Sequence, residues 1–374
     1  GETFDMPEVD RGEAQEAVEE TWFEWLEDQR EICPDCTGSR LNPLARSVRL
    51  PLVVPHRVKF DAEPTIDAFA QATVSAADEL FARLKWSGRG GEIARDILPE
   101  IASRLNFLNE VGLGYLQLGR SVTTLSGGEA QRIRLAAQLG SNLSGALYVL
   151  DEPTIGLHAR DNHQLLDALG KLRARGNSVV VVEHDEDTMA RADFIVDLGP
   201  GAGVEGGEVV ASGTLKQILR NKNSVTGLEL GRQRDGGQAL GQVRPTNPPL
   251  AKRGGKNKTP LLVFKNLRKN NLKNLSVAIP LGRFVAVSGV SGSGKSTMVR
   301  ECVLPELKAV LKAKRGNRSL EGVDCIKAVH EVDQSPIGRT PRSVPATYVG
   351  FFDTIRQLFA QVPEARMRGF SPAR

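Results

Sequence analysis

With 374 residues, 40% of them hydrophobic and 25% charged, the chain has the composition of a soluble protein with room for two or three domains. No run approaches the 18 or more uncharged apolar residues of a membrane helix, and the acidic residues 1–31 lack a signal peptide's basic start and apolar centre, so the expectation is a cytoplasmic protein that spans no membrane. Four cysteines in this length argue against a disulfide framework. The net charge of +4 hides a polarity: residues 1–31 hold twelve Asp or Glu against two Arg, whereas residues 251–320 hold sixteen Lys or Arg against two Glu. A basic half of that kind fits a polyanionic partner such as nucleic acid, with a solvated basic surface as the alternative.

In chain order, Glu13 to Arg30 carries Val18, Trp22, Phe23, Trp25 and Leu26 among acids, a pattern that predicts an amphipathic helix. It leads into Cys33-Pro34-Asp35-Cys36-Thr37-Gly38, half of a zinc knuckle. Zn²⁺ held by Cys33 and Cys36 would need two further ligands, and Cys302 and Cys325 sit far away in unlike contexts, so a reduced, unliganded turn is expected. Residues 45–60 read as strand. From Thr65 to Asn109 apolar residues recur at helical spacing (Ala77, Leu80, Phe81, Leu84, then Ile93, Ile97, Ile101), with a glycine-rich break at Ser87 to Gly91.

Three motifs follow. In Leu125-Ser126-Gly127-Gly128-Glu129-Ala130-Gln131-Arg132, small residues precede a helix expected over Ile133–Leu139 and would offer an anion free N–H groups and a hydroxyl, from Ser126, Gly127 and Gly128. A capped helix start is the alternative. Leu147 to Leu150 then reads as a buried strand ending in Asp151 and Glu152; one carboxylate suits Mg²⁺ coordination and the other polarising an attacking water, and these roles go to Asp151 and Glu152 in turn. After a leucine-rich helix and the turn Gly176-Asn177, a second apolar strand, Val179–Val182, ends in Glu183-His184-Asp185, where His184 is a candidate γ-phosphate sensor. Residues 230–260, dense in Gly, Pro, Arg, Lys and Asn, read as a flexible connector.

Beyond it, Phe284 to Ser288 reads as a short buried strand and Thr297 onward as a helix, with Gly289-Val290-Ser291-Gly292-Ser293-Gly294-Lys295-Ser296-Thr297 between them. The glycines let successive N–H groups turn inward around phosphate oxygens, Lys295 would reach the terminal phosphates of ATP, and the Ser296 hydroxyl would ligate Mg²⁺. The fold class that follows is α/β, of the P-loop NTPase kind.

These motifs resemble the signature, Walker B strand, switch histidine and Walker A loop of ATP-binding cassette (ABC) ATPases. More narrowly, LSGGEAQRIRLA, LYVLDEPTIGLH, VVVVEHDEDT, DLGPGAG, VSGVSGSGKST and VDQSPIGRTPRSVPATYVGFFDTIRQLFA are similar to the UvrA family of damage-sensing subunits of excision nucleases, over about residues 32–374. That resemblance implies an ATPase of nucleotide excision repair that contacts DNA and a UvrB-like subunit and works as a homodimer. It makes Gln334, 39 residues after Lys295, the candidate glutamine-loop residue, and points weakly to Arg339, Arg342, Arg366 and Arg368 for DNA contact. The ATP subunit of a transporter and a non-hydrolysing ATP-dependent interaction module stay as alternatives.

The order of the motifs departs from a single cassette, because signature, Walker B and histidine all precede Walker A. The order predicts the back half of one cassette joined to the front half of another: an acidic helix and CxxC segment (1–60), a helical signature subdomain (61–125), the C-terminal half of a first cassette (126–229), the connector (230–260) and the N-terminal half of a second (261–374). On that reading Glu152 and Lys295 serve different sites, turnover by the chain alone is weak, and Ser126 and Lys295 become candidate partners across a composite ATP site.

Overall fold

The computed structural model describes residues 33–50, 64–83, 89–140, 144–235, 259–313, 320–338 and 343–372, apart from Thr37, Arg40 and Pro336. The acidic helix expected at 13–30, most of the connector, Arg339 and Arg342 lie outside the described residues. Strands are β1 (Ala146–Asp151), β2 (Ser178–Val182), β3 (Phe194–Gly199), β4 (Glu208–Gly213), β5 (Leu261–Leu267), β6 (Leu275–Pro280), β7 (Phe284–Gly289) and β8 (Ala328–Val332). Helices are α1 (Pro43–Ser47), α2 (Ile66–Gln71), α3 (Val74–Arg83), α4 (Arg89–Glu110), α5 (Gly127–Leu139), α6 (Ala159–Ala174), α7 (Glu186–Arg191), α8 (Leu215–Arg220) and α9 (Val225–Asp235). After β7 come a π-helical stretch (Thr297–Val303) that continues as α10 (Leu304–Lys312), then α11 (Pro345–Val349), α12 (Phe352–Ala360) and α13 (Pro363–Met367).

Six strands form one sheet in the order β4-β3-β7-β2-β1-β8, and β5 and β6 form a separate antiparallel pair. The pairings β3–β7, β7–β2, β2–β1 and β1–β8 are all parallel. Strands of this kind are buried on both faces and read as continuous apolar runs. Val149 pairs with Val180 and Asp151 with Val182, and Val149, Val180 and Val182 are all buried. On one face Tyr148, Leu150, Val179, Val181 and Phe284 pack with the helices before and after the sheet; on the other Leu147, Val180, Val285 and Val287 pack with β5, β6 and the helix that follows the phosphate loop.

The motif order set segments 126–229 and 261–374 in different cassettes, yet here they share this sheet. Strand β7, from the later segment, lies between β2 and β3 of the earlier one. The physical reason is that β2 and β3, apolar but for Ser178 and Asp197, have backbone groups that a central parallel strand between them satisfies on both sides at once. The helical layer is shared in the same way: Phe69 of α2 meets Phe359 of α12 edge to face at 5.8 Å, and the Arg104 guanidinium of α4 donates to the Val349 carbonyl of α11.

Two local expectations are corrected. Ala45 to Ser47 belong to α1 rather than to a strand, because Asn42 caps that helix, accepting from Ala45 N at 2.7 Å, and Pro43 fills its first position. Gly90 and Gly91, expected in a break, lie in the first turn of α4, which also carries Pro99 in its interior.

The shared sheet predicts that cutting the chain at a protease site placed between residues 236 and 258 leaves the two fragments together on size exclusion without denaturant. Fragments that elute separately and stay folded would contradict the pairing of β7 with β2 and β3.

Candidate nucleotide site

Four neighbouring parallel strands, β8, β1, β2 and β7, end at the same sheet edge, and each delivers one motif there. Gln334 follows β8, Asp151 and Glu152 close β1, Glu183 and His184 follow β2, and the phosphate loop follows β7. The carboxyl edge of an open α/β sheet is where such folds bind ligands.

The loop turns where only glycine fits. Gly289 has φ 135, and a Cβ there would collide with the Leu198 carbonyl of β3. Gly292 (φ 75) and Gly294 (φ 103) complete the cradle, which Asn271 braces by donating to the carbonyl of Gly292 at 3.0 Å and of Gly203 at 3.2 Å. The Lys295 ammonium donates to the carbonyls of Gly289 (2.9 Å) and Val290 (3.0 Å). Burial pulls its pKa below the ordinary lysine value, against the opposing pull of Glu152, Asp151 and Asp197. The Ser293 hydroxyl is buried without a hydrogen-bond partner. A glycine-lined cradle with a buried, unsatisfied hydroxyl fits a polyphosphate, and the Ser296 hydroxyl, 3.5 Å from Asp151 Oδ1, supplies with that carboxylate the hard oxygen ligands that Mg²⁺ takes.

Around this pair the charges are dense. The Arg300 guanidinium lies 3.4 Å from Asp151, 3.3 Å from Glu331 and 3.5 Å from Asp333. Burial raises the Asp151 pKa, Arg300 lowers it and Glu152 raises it further, with a net upward shift. Glu152 stands in the left-handed region (φ 42), its N–H donating to Val182 O at 2.9 Å while its carbonyl accepts from Gln334 Nε2 at 3.3 Å. His184 is 68% exposed at the end of β2.

The signature residues open α5 as a capping box. Ser126 Oγ accepts from Glu129 N at 3.2 Å, and Glu129 Oε2 accepts from Ser126 N at 2.9 Å. The helix expected from Ile133 therefore starts six residues earlier, at Gly127. A Cβ on Gly127 would touch Gln334 and one on Gly128 the Ile155 carbonyl. No hydrogen bond joins Ser126 to Lys295 among the described residues.

The chain was compared with known proteins. It is 48% identical over 347 residues to UvrABC system protein A of Pseudomonas aeruginosa, and 46% identical over 346 residues to that of Streptococcus pyogenes serotype M3, in each case 91% of this chain. The crystal structure of UvrA2 from Deinococcus radiodurans is 39% identical over 91% of this chain and 40% of its own, with a TM-score of 0.46. No protein-family model matches. Over that span the chain belongs to the UvrA family. It covers 34–35% of the length of these curated relatives.

Within this member of the UvrA family, sequence reasoning missed several groups that hold the site. Asp197, in the DLGPGAG stretch, is buried and accepts from the hydroxyls of Ser224 (2.6 Å), Thr226 (2.7 Å) and Ser288 (3.0 Å). Gln131 Nε2 donates to the carbonyls of Asp151 (2.9 Å) and Val332 (3.1 Å), clamping the ends of β1 and β8. Arg173 grips Asp193 with contacts of 2.6 and 2.7 Å, and Asp193 in turn accepts from Phe284 N at 2.9 Å. Their partners lie too far along the chain for any local pattern to show them.

Cys33 and Cys36 sit in a turn closed by Ser39, and the Cys36 N–H lowers the Cys33 thiol pKa. Among the described residues no group of three or more His, Cys, Asp or Glu could hold a metal ion, so Zn²⁺ there would need ligands from elsewhere. Of the basic residues singled out for DNA, Arg366 and Arg368 are described and exposed, and Arg368 pairs with Glu364 at 2.8 Å.

The Asp151 shift carries a stability prediction. A carboxyl whose folded pKa is raised stabilises the fold fully below its unfolded value and loses that contribution as pH rises through the folded one. Asp151→Asn, which removes the penalised charge, should melt at a higher temperature than the parent at pH 7 without nucleotide, and thermal scans should show the gap closing as pH falls to the ordinary carboxylate range.

Proposed function

We propose that this chain binds and hydrolyses ATP with Mg²⁺ as the nucleotide-handling part of a DNA-damage recognition protein in nucleotide excision repair. The observation that carries the reading is the delivery of phosphate loop, paired carboxylates, histidine and glutamine to one edge by β7, β1, β2 and β8. The name of the relatives, protein A of a UvrABC system, supports the repair assignment.

Each residue then has a task. The N–H groups of Gly289 to Thr297 and the Lys295 ammonium hold the phosphates, and Ser296 and Asp151 would hold Mg²⁺, which would supply neutralisation of the phosphate charge. Glu152 orients the attacking water and accepts its proton. His184 meets the γ-phosphate, and Gln334 ties that edge to β8. Gly127 and Gly128, with Ser126 ordering their turn, would complete the site of a second copy, each nucleotide lying between the phosphate loop of one chain and the signature of the other. The partners are DNA, approached through the basic stretch and Arg366 and Arg368, and a UvrB-like subunit. The setting is the cytoplasm, and no helix among the described residues is long and apolar enough to cross a membrane.

The shared sheet changes the expected activity. Motif order alone predicts weak turnover, because the two halves of the machinery serve different sites; with Lys295 and Asp151 at one edge, the single chain should turn ATP over. Lys295→Ala should abolish ATP binding measured by calorimetry. Glu152→Gln should keep binding and lower kcat by about 10²- to 10⁴-fold, the usual contribution of a general base. ATP binding unaffected by Lys295→Ala would refute the site.

Pairing of copies is tested by crosslinking. Ser291 is an exposed position in the phosphate loop: Ser126→Cys and Ser291→Cys on separate chains should crosslink with ATP and not without it. Both loops present helix-start N–H groups, which repel until an anion lies between them. Equal crosslinking in both conditions would count against the composite site.

A further inference from the structure

Glu183 is a fully buried carboxylate to which the chemistry above gives no task. It lies one residue past β2, between Val182 and His184. Its Oε1 accepts from Thr154 N at 2.9 Å and from the Thr154 hydroxyl; its Oε2 accepts from His184 N at 3.0 Å and Asp185 N at 3.3 Å. Two donors on each oxygen match the four acceptor sites of a carboxylate, and His184 Nδ1 lies 3.8 Å from Oε2 as well.

The donors come from two places. Thr154 belongs to the tight turn after β1 that begins at Glu152, closed by Ile155 N to Glu152 O at 3.2 Å and Leu157 N to Thr154 O at 3.1 Å. His184 and Asp185 form the turn after β2, and Asp185 goes on to cap α7 through Thr188 N at 2.9 Å while holding Asn162 at 3.1 Å. A single side chain therefore fixes the turn bearing the general base against the turn bearing the histidine. Glu152 sits there at φ 42, a backbone position that a non-glycine residue keeps only when its surroundings enforce it.

We infer that Glu183 is a positioning residue for hydrolysis: it sets the separation and orientation of Glu152 and His184 and contributes nothing to holding the nucleotide. This rests on the ATPase reading of the site. The phosphate loop hangs from β7 and is braced by β3 and Asn271; the Glu183 carboxylate bonds to none of them, and its backbone N–H, which donates to Val287 O of β7 at 3.0 Å, is kept when the side chain is changed. Disturbing Glu183 should therefore separate turnover from affinity.

Glu183→Gln is the test. An amide offers one oxygen, and its NH₂ group would face at least one backbone N–H whichever way it is placed, so one or two of the four bonds are lost without a change of shape. Misplacement of catalytic groups by about 1 Å costs on the order of 10²-fold. Glu183→Gln should keep ATP affinity within about twofold of the parent, lower kcat by 10- to 100-fold and melt cooperatively. Thr154→Val, which removes one donor, should act in the same direction but less. Turnover within twofold of the parent, or affinity falling in step with turnover, would overturn the inference. A parent chain with no ATPase activity would sink the functional reading instead; amide exchange then decides the inference. In Glu183→Gln, exchange at Thr154, His184 and Asp185 should quicken while Val180 to Val182 stay protected, and unchanged exchange would refute the role.

Discussion

The insertion of Phe284–Gly289 between Ser178–Val182 and Phe194–Gly199 is the pairing on which everything else rests. Its backbone groups are satisfied on both sides, and Phe284, Val285, Ala286 and Val287 are almost wholly removed from water. Burial contributes about 1.5–3 kcal/mol for each of the Phe and Val side chains and less for Ala286. The entry to the strand is locked by charge as well. Asp193 accepts from Phe284 N while Arg173, itself buried, grips the same carboxylate. Removing one member of such a buried pair leaves an uncompensated ion and usually costs about 3–5 kcal/mol. Strand position and loop position are one constraint, because the phosphate loop begins where β7 ends.

Parallel pairing then explains why the chemistry gathers at one edge. All four central strands end on the same side, and the acids that arrive there have to be balanced. Lys295, Arg300 and Arg134 do this: Arg300 stands among Asp151, Glu331 and Asp333, and Arg134 pairs with Asp333 from the signature helix. The balance is incomplete at Asp151, where burial and Glu152 outweigh Arg300, and that residual strain is what a divalent cation would relieve.

What was legible in the sequence were groups whose chemistry is local. The runs LYVLD, VVVV and FVAVS read as strands because they are apolar up to the polar residue that ends the first and the last, and Gly289, Gly292 and Gly294 mark the loop because their φ values exclude side chains. Neighbour relations were not legible. A strand buried on both faces has no alternation to mark its partner, so nothing in Phe284–Gly289 says that it belongs beside Val179–Val182. Asp197 shows the same limit. In DLGPGAG it reads as a turn residue, and only Ser224, Thr226 and Ser288, 27 to 91 residues away, make it a buried acceptor. Asn42-Pro43 was a readable helix start, and the strand-like run after it masked the signal.

The signature loop shows how a cap and a binding motif can be the same residues. Ser126 commits its hydroxyl to Glu129, so it is not a free donor toward an anion; it orders the first turn of α5. With the N–H of Glu129 taken by Ser126, the N–H groups of Gly127 and Gly128 are the ones at this helix start without an acceptor inside the helix. Lacking side chains, those two positions let an anion approach the backbone as closely as Gln334 and Ile155 allow. Gln131, in the next turn, pins the helix to the carbonyls of Asp151 and Val332. The glycine N–H groups therefore hold a fixed place relative to the Walker B carboxylates, which couples this chain's own candidate site to the face that would meet a second copy's nucleotide.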